Sequence, residues 1–439
     1  MDAKTEGAGR TTSRFIPLTR QAVIADLCAD PARHGEHEAF AAFALRLQRH
    51  RGIAYRRLAR RMRELYLPFS PDRDTVRVLT FTPEERQAME TELAGLTRRL
   101  LDRANYAPID TDALNAILNR QTPYSLRIAV DLDEYDALAA SARETYTKRH
   151  TYRRPETGWL LKAENEVRIY RRLFLFLKLK PDAARAREIA EGEGIPADKA
   201  QRRVERRRKN LPPSVSPDFI YMKVFKDIPE HDLQILFPLR TVQFRPFDKL
   251  KFFATAGGGT LFGIFSTTGK LLAATSPFAM LGALAAFGGL LARQITSFFN
   301  HRTRYMMELA QKLFFHNLAN NRAALTLLLD RAEEEDVKED IIALYFNAGA
   351  VVAEGELAAC KARIDAMVLE RYGVAIDFEL ADAIGRLEAD GAVVRQGEAL
   401  RFATLEEAAA LYRTLLERND RAEWARVCED AERTEALEV

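Results

Sequence analysis

The sequence predicts an α+β protein: a helix-rich amino-terminal α+β domain, a two-helix transmembrane hairpin and a carboxy-terminal winged-helix-like domain. Three observations carry this. Apolar residues recur at helical spacing through the first third, they alternate as in strands beyond Ser125, and two uncharged runs lie between residues 252 and 292. Hydrophobic residues make up 47% and charged residues 29%, an ordinary globular mixture, so a membrane segment has to be sought locally rather than in the mean.

Residues 1–14 contain Asp2 and Glu6 and no apolar core, so they match neither a secretory signal nor an organellar presequence; a disordered lead-in is expected. Helices are expected near 19–28, 36–66, 82–104 and 110–118. In the second, Phe40, Phe43, Leu47, Tyr55, Leu58, Met62 and Leu65 mark one face, and Arg56, Arg57, Arg60, Arg61 and Arg63 fill another. Two readings of that cationic face stay open: a solvated, salt-bridged surface, or contact with anionic lipid headgroups or an acidic partner.

From Ser125 the period shortens. Leu126, Ile128, Val130 and Leu132 alternate as a half-buried strand does, and 166–179, 219–225 and 242–244 are further strand candidates. Strands broken by one helical insertion suggest α+β rather than a doubly wound sheet. That insertion, 181–210, carries Arg202, Arg203, Arg206, Arg207, Arg208 and Lys209. A solvated helix end, lipid headgroups and nucleic acid are the open readings, and the run lacks the interleaved aromatics that stack on bases. The soluble domain is placed at 15–250.

Residues 252–269 and 271–292 contain no charge, with Lys270 alone between them. As helices these 18 and 22 residues would span about 27 and 33 Å, bracketing a hydrocarbon thickness of roughly 30 Å. Basic residues flank both ends (Arg240, Arg245, Lys249 and Lys251; Arg293, Arg302, Arg304 and Lys312), which predicts a hairpin at 251–300 with both soluble regions on the cytoplasmic face. Gly259 with Gly263, and Gly282 with Ala286, have the spacing for close packing of the two helices. A hairpin buried in a soluble core, or a single span by the second helix, are the alternatives.

Amphipathic helices are expected over 301–335. The region 336–439 reads as a winged-helix-like domain and helical tail: helices near 337–348, 355–371 and 377–389, then strands 392–395 and 399–403 turning at Gly397. A DNA-reading third helix needs cationic or amide side chains. This one offers Asp377, Glu379, Asp382, Glu388 and Asp390 against Arg386 alone, so phosphate repulsion opposes groove entry and a protein-interaction or packing role is expected instead.

Charge and cysteine exclude little more. The net charge is +3 on 66 basic and 63 acidic residues, so nucleic-acid binding does not follow from bulk charge. Cys28, Cys360 and Cys428 are odd in number and far apart, which argues against a disulfide scaffold or zinc site. No metalloprotease, nucleophile-elbow or Walker motif is present, and no catalytic, metal or cofactor residue is assigned. Asp131, Asp133, Glu134 and Asp136 lack the glycine of a calcium loop and read as a solvated strand end, and Glu333 to Asp336 with Lys338 and Glu339 read as a charged helix surface.

Several segments together resemble a family of membrane proteins similar to transmembrane protein 143, whose shared region is a domain of unknown function. They are Phe15-Ile16-Pro17-Leu18; Tyr66, Phe69, Pro71 and Asp72; Phe225-Lys226-Asp227-Ile228-Pro229 with Asp232-Leu233 and Phe237-Pro238; Asn320-Asn321; and Ala332-Glu333-Glu334 leading to Lys338-Glu339. The resemblance spans about residues 15–350 and implies a membrane anchor but no reaction or cofactor; Gln234 stands where an acidic residue is expected. The Ala- and Arg-rich usage points to a bacterial cytoplasmic membrane. The expected function is a membrane-anchored interaction or scaffold protein with membrane lipids and a protein partner or second copy as its partners. The alternatives are a membrane-surface enzyme or binder of anionic lipid or phosphate compounds, and an oligomeric channel.

Overall fold

A computed structural model of the chain describes residues 13–33, 35–72, 80–118, 126–153, 162–209, 211–212, 214–244, 307 and 314–437. In chain order the first elements are α1 (Arg20–Cys28), α2 (His37–Tyr66), α3 (Pro83–Arg103), β1 (Ala107–Ile109), α4 (Thr111–Leu118), β2 (Leu126–Val130), β3 (Tyr135–Arg153) and β4 (Lys162–Leu179). Then follow α5 (Asp182–Glu193), α6 (Ala197–Arg208), β5 (Ile220–Pro229), β6 (Arg240–Phe244) and β7 (Asn317–Asn320). The carboxy-terminal part contains α7 (Asn321–Asn347), β8 (Val351–Ala353), α8 (Leu357–Tyr372), α9 (Leu380–Asp390), β9 (Val393–Gln396), β10 (Ala399–Phe402) and α10 (Leu405–Leu437).

These elements form two compact units. One joins Met1–Pro108, Ser141–Thr147 and Ala319–Val439, and the other joins Ile109–Ala140 and Lys148–Leu318. In the first unit the apolar face of α2 packs Phe40, Phe43 and Leu47 into a core shared with Ile341 and Leu344 of α7, Ile364 of α8, Leu387 of α9 and Tyr412 of α10. Spacings of three and four put these α2 side chains on one stripe, so a single helix surface meets several partners. Strands β8, β10 and β9 form an antiparallel sheet in that order, with Arg401 of β10 opposite both Val351 and Val394. Two glycines make the sharp reversals here. Gly391 ends α9 at φ 88° and Gly397 turns β9 into β10 at φ 64°, both left-handed conformations that side chains disfavour.

The second unit is built on antiparallel β4 and β5, paired from Lys178↔Ile220 to Ile169↔Pro229, within a five-stranded sheet of order β1-β3-β4-β5-β7. Leu173, Phe174, Leu175, Phe176 and Leu177 are all buried, so β4 is covered on both faces here and its sequence is a continuous apolar run rather than a polar–apolar alternation. Strands β2 and β6 pair separately, from Leu126↔Phe244 to Val130↔Arg240. Helices α5 and α6 close on each other through Ala186, Ile189, Ala200 and Val204.

Two expectations change. The expected break between the amphipathic helices of 301–335 and the helix near 337–348 is absent: Asn321–Asn347 is one continuous helix, α7, because neither proline nor glycine interrupts its backbone hydrogen bonds. The second change concerns the membrane. Among the described residues no helix is long and apolar enough to cross one. Helices α2, α3, α7 and α10 have the length, at 30, 21, 27 and 33 residues, but all carry charges along their sequences, such as Arg46 to Arg63 in α2 and Arg331 to Asp340 in α7. The hairpin expected at 251–300, with Gly259, Gly263, Gly282 and Ala286, lies outside the described residues. The membrane-anchored fold class is therefore corrected to two α+β units without a described membrane-spanning hairpin. The anchored scaffold, the membrane-surface enzyme or lipid binder, the channel, the lipid partners and the cytoplasmic-membrane location have no described span to rest on.

Candidate functional site

The most concentrated chemistry of the first unit lies on α7. Glu335, Asp336, Glu339 and Asp340 stand at positions i, i+1, i+4 and i+5 of a helix, which puts them on adjoining ridges of one face. All four are buried, as is Lys338 between them, so the expected charged helix surface is in fact an ionic core. The guanidinium of Arg386, on α9, satisfies three of these acids: NH1 lies 3.1 Å from Asp336, NH2 2.7 Å from Glu339 and Nε 2.8 Å from Asp340. Arg51 of α2 reaches Asp340 at 2.8 Å and Asp390, the last residue of α9, at 2.6 Å. Tyr55 donates to Asp336 at 2.7 Å, Tyr412 donates to Asp390 at 2.7 Å, His50 sits 3.4 Å from Asp390, and Arg103 of α3 lies 3.7 Å from Asp336. Five helices are tied together by one network.

Its charges do not balance among the described residues. The carboxylates of Asp336, Glu339, Asp340 and Asp390 face the guanidiniums of Arg386, Arg51 and Arg103. Burial opposes ionisation of Glu339, and although Arg386 pulls the other way, the nearby Asp336 and Glu335 reinforce burial and its pKa is pushed up to about 8. Asp336 is raised too, by burial first, against the pull of Arg386. Asp390 moves oppositely. Burial works against it, yet the hydrogen bond with His50, the charge of Arg51 and the Tyr412 hydroxyl hold it below the usual carboxylate range.

A second part of the α7 face holds the amino-terminal arm. Glu335 accepts the Ile16 N–H at 3.1 Å, and Lys338 donates to the carbonyls of Ile16 at 2.7 Å and Leu18 at 3.1 Å and to Glu335 at 2.5 Å. Arg143 lies 4.0 Å and Lys338 5.0 Å from the centre of the Phe15 ring, Arg14 pairs with Glu379 at 2.7 Å, and the Asp377 N–H donates to Ser13 at 3.0 Å. Two widely separated segments of the family resemblance, Phe15 to Leu18 and the run ending Lys338-Glu339, are thus partners in space. So are two others, since Asn321 donates to Asp72 at 2.8 Å.

The arginines singled out from the sequence fall in different units, Arg56, Arg57 and Arg60 in the first and Arg202 to Arg208 in the second. All but Arg208 are exposed. Arg57 donates to Asn419 at 3.2 Å, and Arg203 pairs with Glu193 at 2.5 Å. Arg207 and Arg208 turn inward to Glu134 at 2.8 and 3.0 Å, where Arg185 also arrives; Arg207 and Arg185 meet Asp131 at 2.8 and 3.0 Å, and Arg208 pairs with Asp182. Burial works against the Asp131 carboxylate, but these guanidiniums hold it below its ordinary range. Asp131 and Glu134, read as a solvated strand end, are the acid side of a structural clasp. Glu134 is 2% exposed, and alternation alone does not reveal it because it falls in a short 3-10 turn between strands.

Arg56 also borders a cleft of ≈ 340 Å³ with Gln48, Arg49, Gly52, Glu333 and Asp420. Two cations oppose two anions there, so the lining selects neither sign of ligand. Among the described residues no group of His, Cys, Asp and Glu is arranged to hold a metal ion. In the α7 cluster the guanidinium of Arg386 occupies the place between the carboxylates where a cation would sit.

No solved structure matches the chain. A family model described as "Protein of unknown function (DUF3754)" matches residues 170–323, which run from β4 to the start of α7 and so include β5, where the Phe225 to Pro229 segment lies. That domain is the one found in transmembrane protein 143-like proteins, so the match agrees with the family resemblance of the sequence over residues 170–323.

Proposed function

We propose that residues 337–402 are a winged-helix-like protein-docking module whose contact surface is the outward face of α9. The order α7, β8, α8, α9, β9, β10 is that of a winged helix, with α9 in the position that enters the major groove in DNA-binding versions. One observation carries the reading. Arg386, the one cation of α9, points inward onto three carboxylates, leaving Ala381, Asp382, Gly385 and Ala389 exposed on the other side. That surface offers no cation to phosphate, while its small side chains let another polypeptide approach closely.

The reading is tested on the full chain with a photo-crosslinking residue at Ala389. A discrete protein adduct that is lost when Gly385→Arg is added, with the thermal midpoint unchanged, is the expected result. Salt-sensitive binding to duplex DNA that Gly385→Arg strengthens would overturn it, because α9 would then lie against phosphate.

A further inference from the structure

We propose that Glu339 is a proton-operated latch of the seam between α7 and α9, closed while its carboxyl is protonated and loosened when it ionises. The inference stands on the ionic core and is independent of the docking reading.

Geometry singles out Glu339. Asp340 has a second guanidinium in Arg51, and Asp336 has Tyr55 and Arg103 as well as Arg386. Glu339 shares Arg386 with both, at 2.7 Å, and it is 3% exposed. The cation facing it is Arg386 from α9, and the network continues beyond Asp340 to Arg51 of α2 and beyond Asp336 to Tyr55 of α2 and Arg103 of α3. Asp336, Glu335 and Asp340 lie on its own helix, and Asp390 is the acid beyond Arg51, bonded to Tyr412 of α10. Three guanidiniums among four carboxylates, with the one at Glu339 shared with Asp336 and Asp340, leave Glu339 best accommodated as a neutral acid, which still accepts from Arg386 through its carbonyl oxygen.

The direction of the effect follows. Because the folded protein holds this proton more tightly than the unfolded chain, the stabilisation is complete below the ordinary glutamate pKa, is lost progressively as pH rises from there to about 8, and changes no further once both states are ionised. Ionisation then adds an unbalanced charge where α9 is anchored to α7.

The test is the thermal midpoint of the full chain from about pH 6 to about pH 9.5, for wild type, Glu339→Gln and Glu339→Met. The wild-type midpoint is expected to fall steeply across the lower half of that range and to level off above about pH 8, and the two neutral variants to fold at neutral pH with a clearly shallower fall below about pH 8. A wild-type midpoint that does not fall, or an equal fall in all three proteins, overturns the proposal. Failure of both variants to fold at neutral pH overturns it too, since a carboxyl that is already neutral tolerates a neutral replacement of its own size.

Discussion

At Arg386 one planar guanidinium lies within ion-pair distance of Asp336, Glu339 and Asp340, a three-way fork that the single ammonium of lysine cannot reproduce. Burial would lower its pKa, but the surrounding carboxylates raise it, so it stays charged. Arg386→Met leaves those acids without their shared partner and is expected to destabilise the first unit by about 3–5 kcal/mol, with Arg386→Lys recovering only part of the loss, read from denaturant midpoints at neutral pH. In contrast, Arg202→Ala and Arg206→Ala remove exposed side chains held by no ion pair among the described residues, and each should change stability by less than about 0.5 kcal/mol. The difference between these arginines is burial, and the sequence pattern hides it. An arginine in an acidic helix reads as a surface residue until the helix that faces it is known.

At the scale of the element, the helices of the first unit are legible because their apolar stripes and ends are local. Thr82 and Glu85 form a capping box at the start of α3 with Pro83 in the first turn, and Gly391 sits where α9 must stop. Gly391→Ala forces a side chain into φ 88° and should cost about 1 kcal/mol, measurable as a lowered thermal midpoint with the ionic network intact. The amino-terminal arm is different, since Ser13 to Leu18 has no repeating structure and owes its place to α7 and to the backbone at Asp377. Replacing the fully buried Ile16 by Ala is expected to destabilise the unit by roughly 2–4 kcal/mol and to speed hydrogen exchange in both the arm and the middle of α7. Unchanged exchange in α7 would mean that the arm is not held there. Long β3 escaped the sequence reading because its Ala, Ser and Thr residues make no clear alternation, whereas β4 was visible from its leucines even though its burial on both faces was not.

Across the whole molecule the first unit is assembled from distant pieces, with α1 and α2 sharing their core with α7 to α10. A fragment ending near residue 250 therefore lacks the helices that cover Phe40, Phe43 and Leu47, and the amides of α1 and α2 should lose their protection from hydrogen exchange in it while keeping it in the full chain. What the sequence determined by itself was whatever depends on neighbours within a turn or two: the periods of α2, α3, α8 and α9, the turn at Gly397, the acidic character of α9 and the family resemblance. Tertiary structure decided which charges are inside. The run from Glu335 to Asp340 has the composition of a solvated surface, and the same residues are affordable in a core only because Arg51 and Arg386 arrive from positions about 285 residues before it and 50 after it. Desolvating a charge costs several kcal/mol unless a partner is in place, and no local pattern records where a partner from another segment will come to rest.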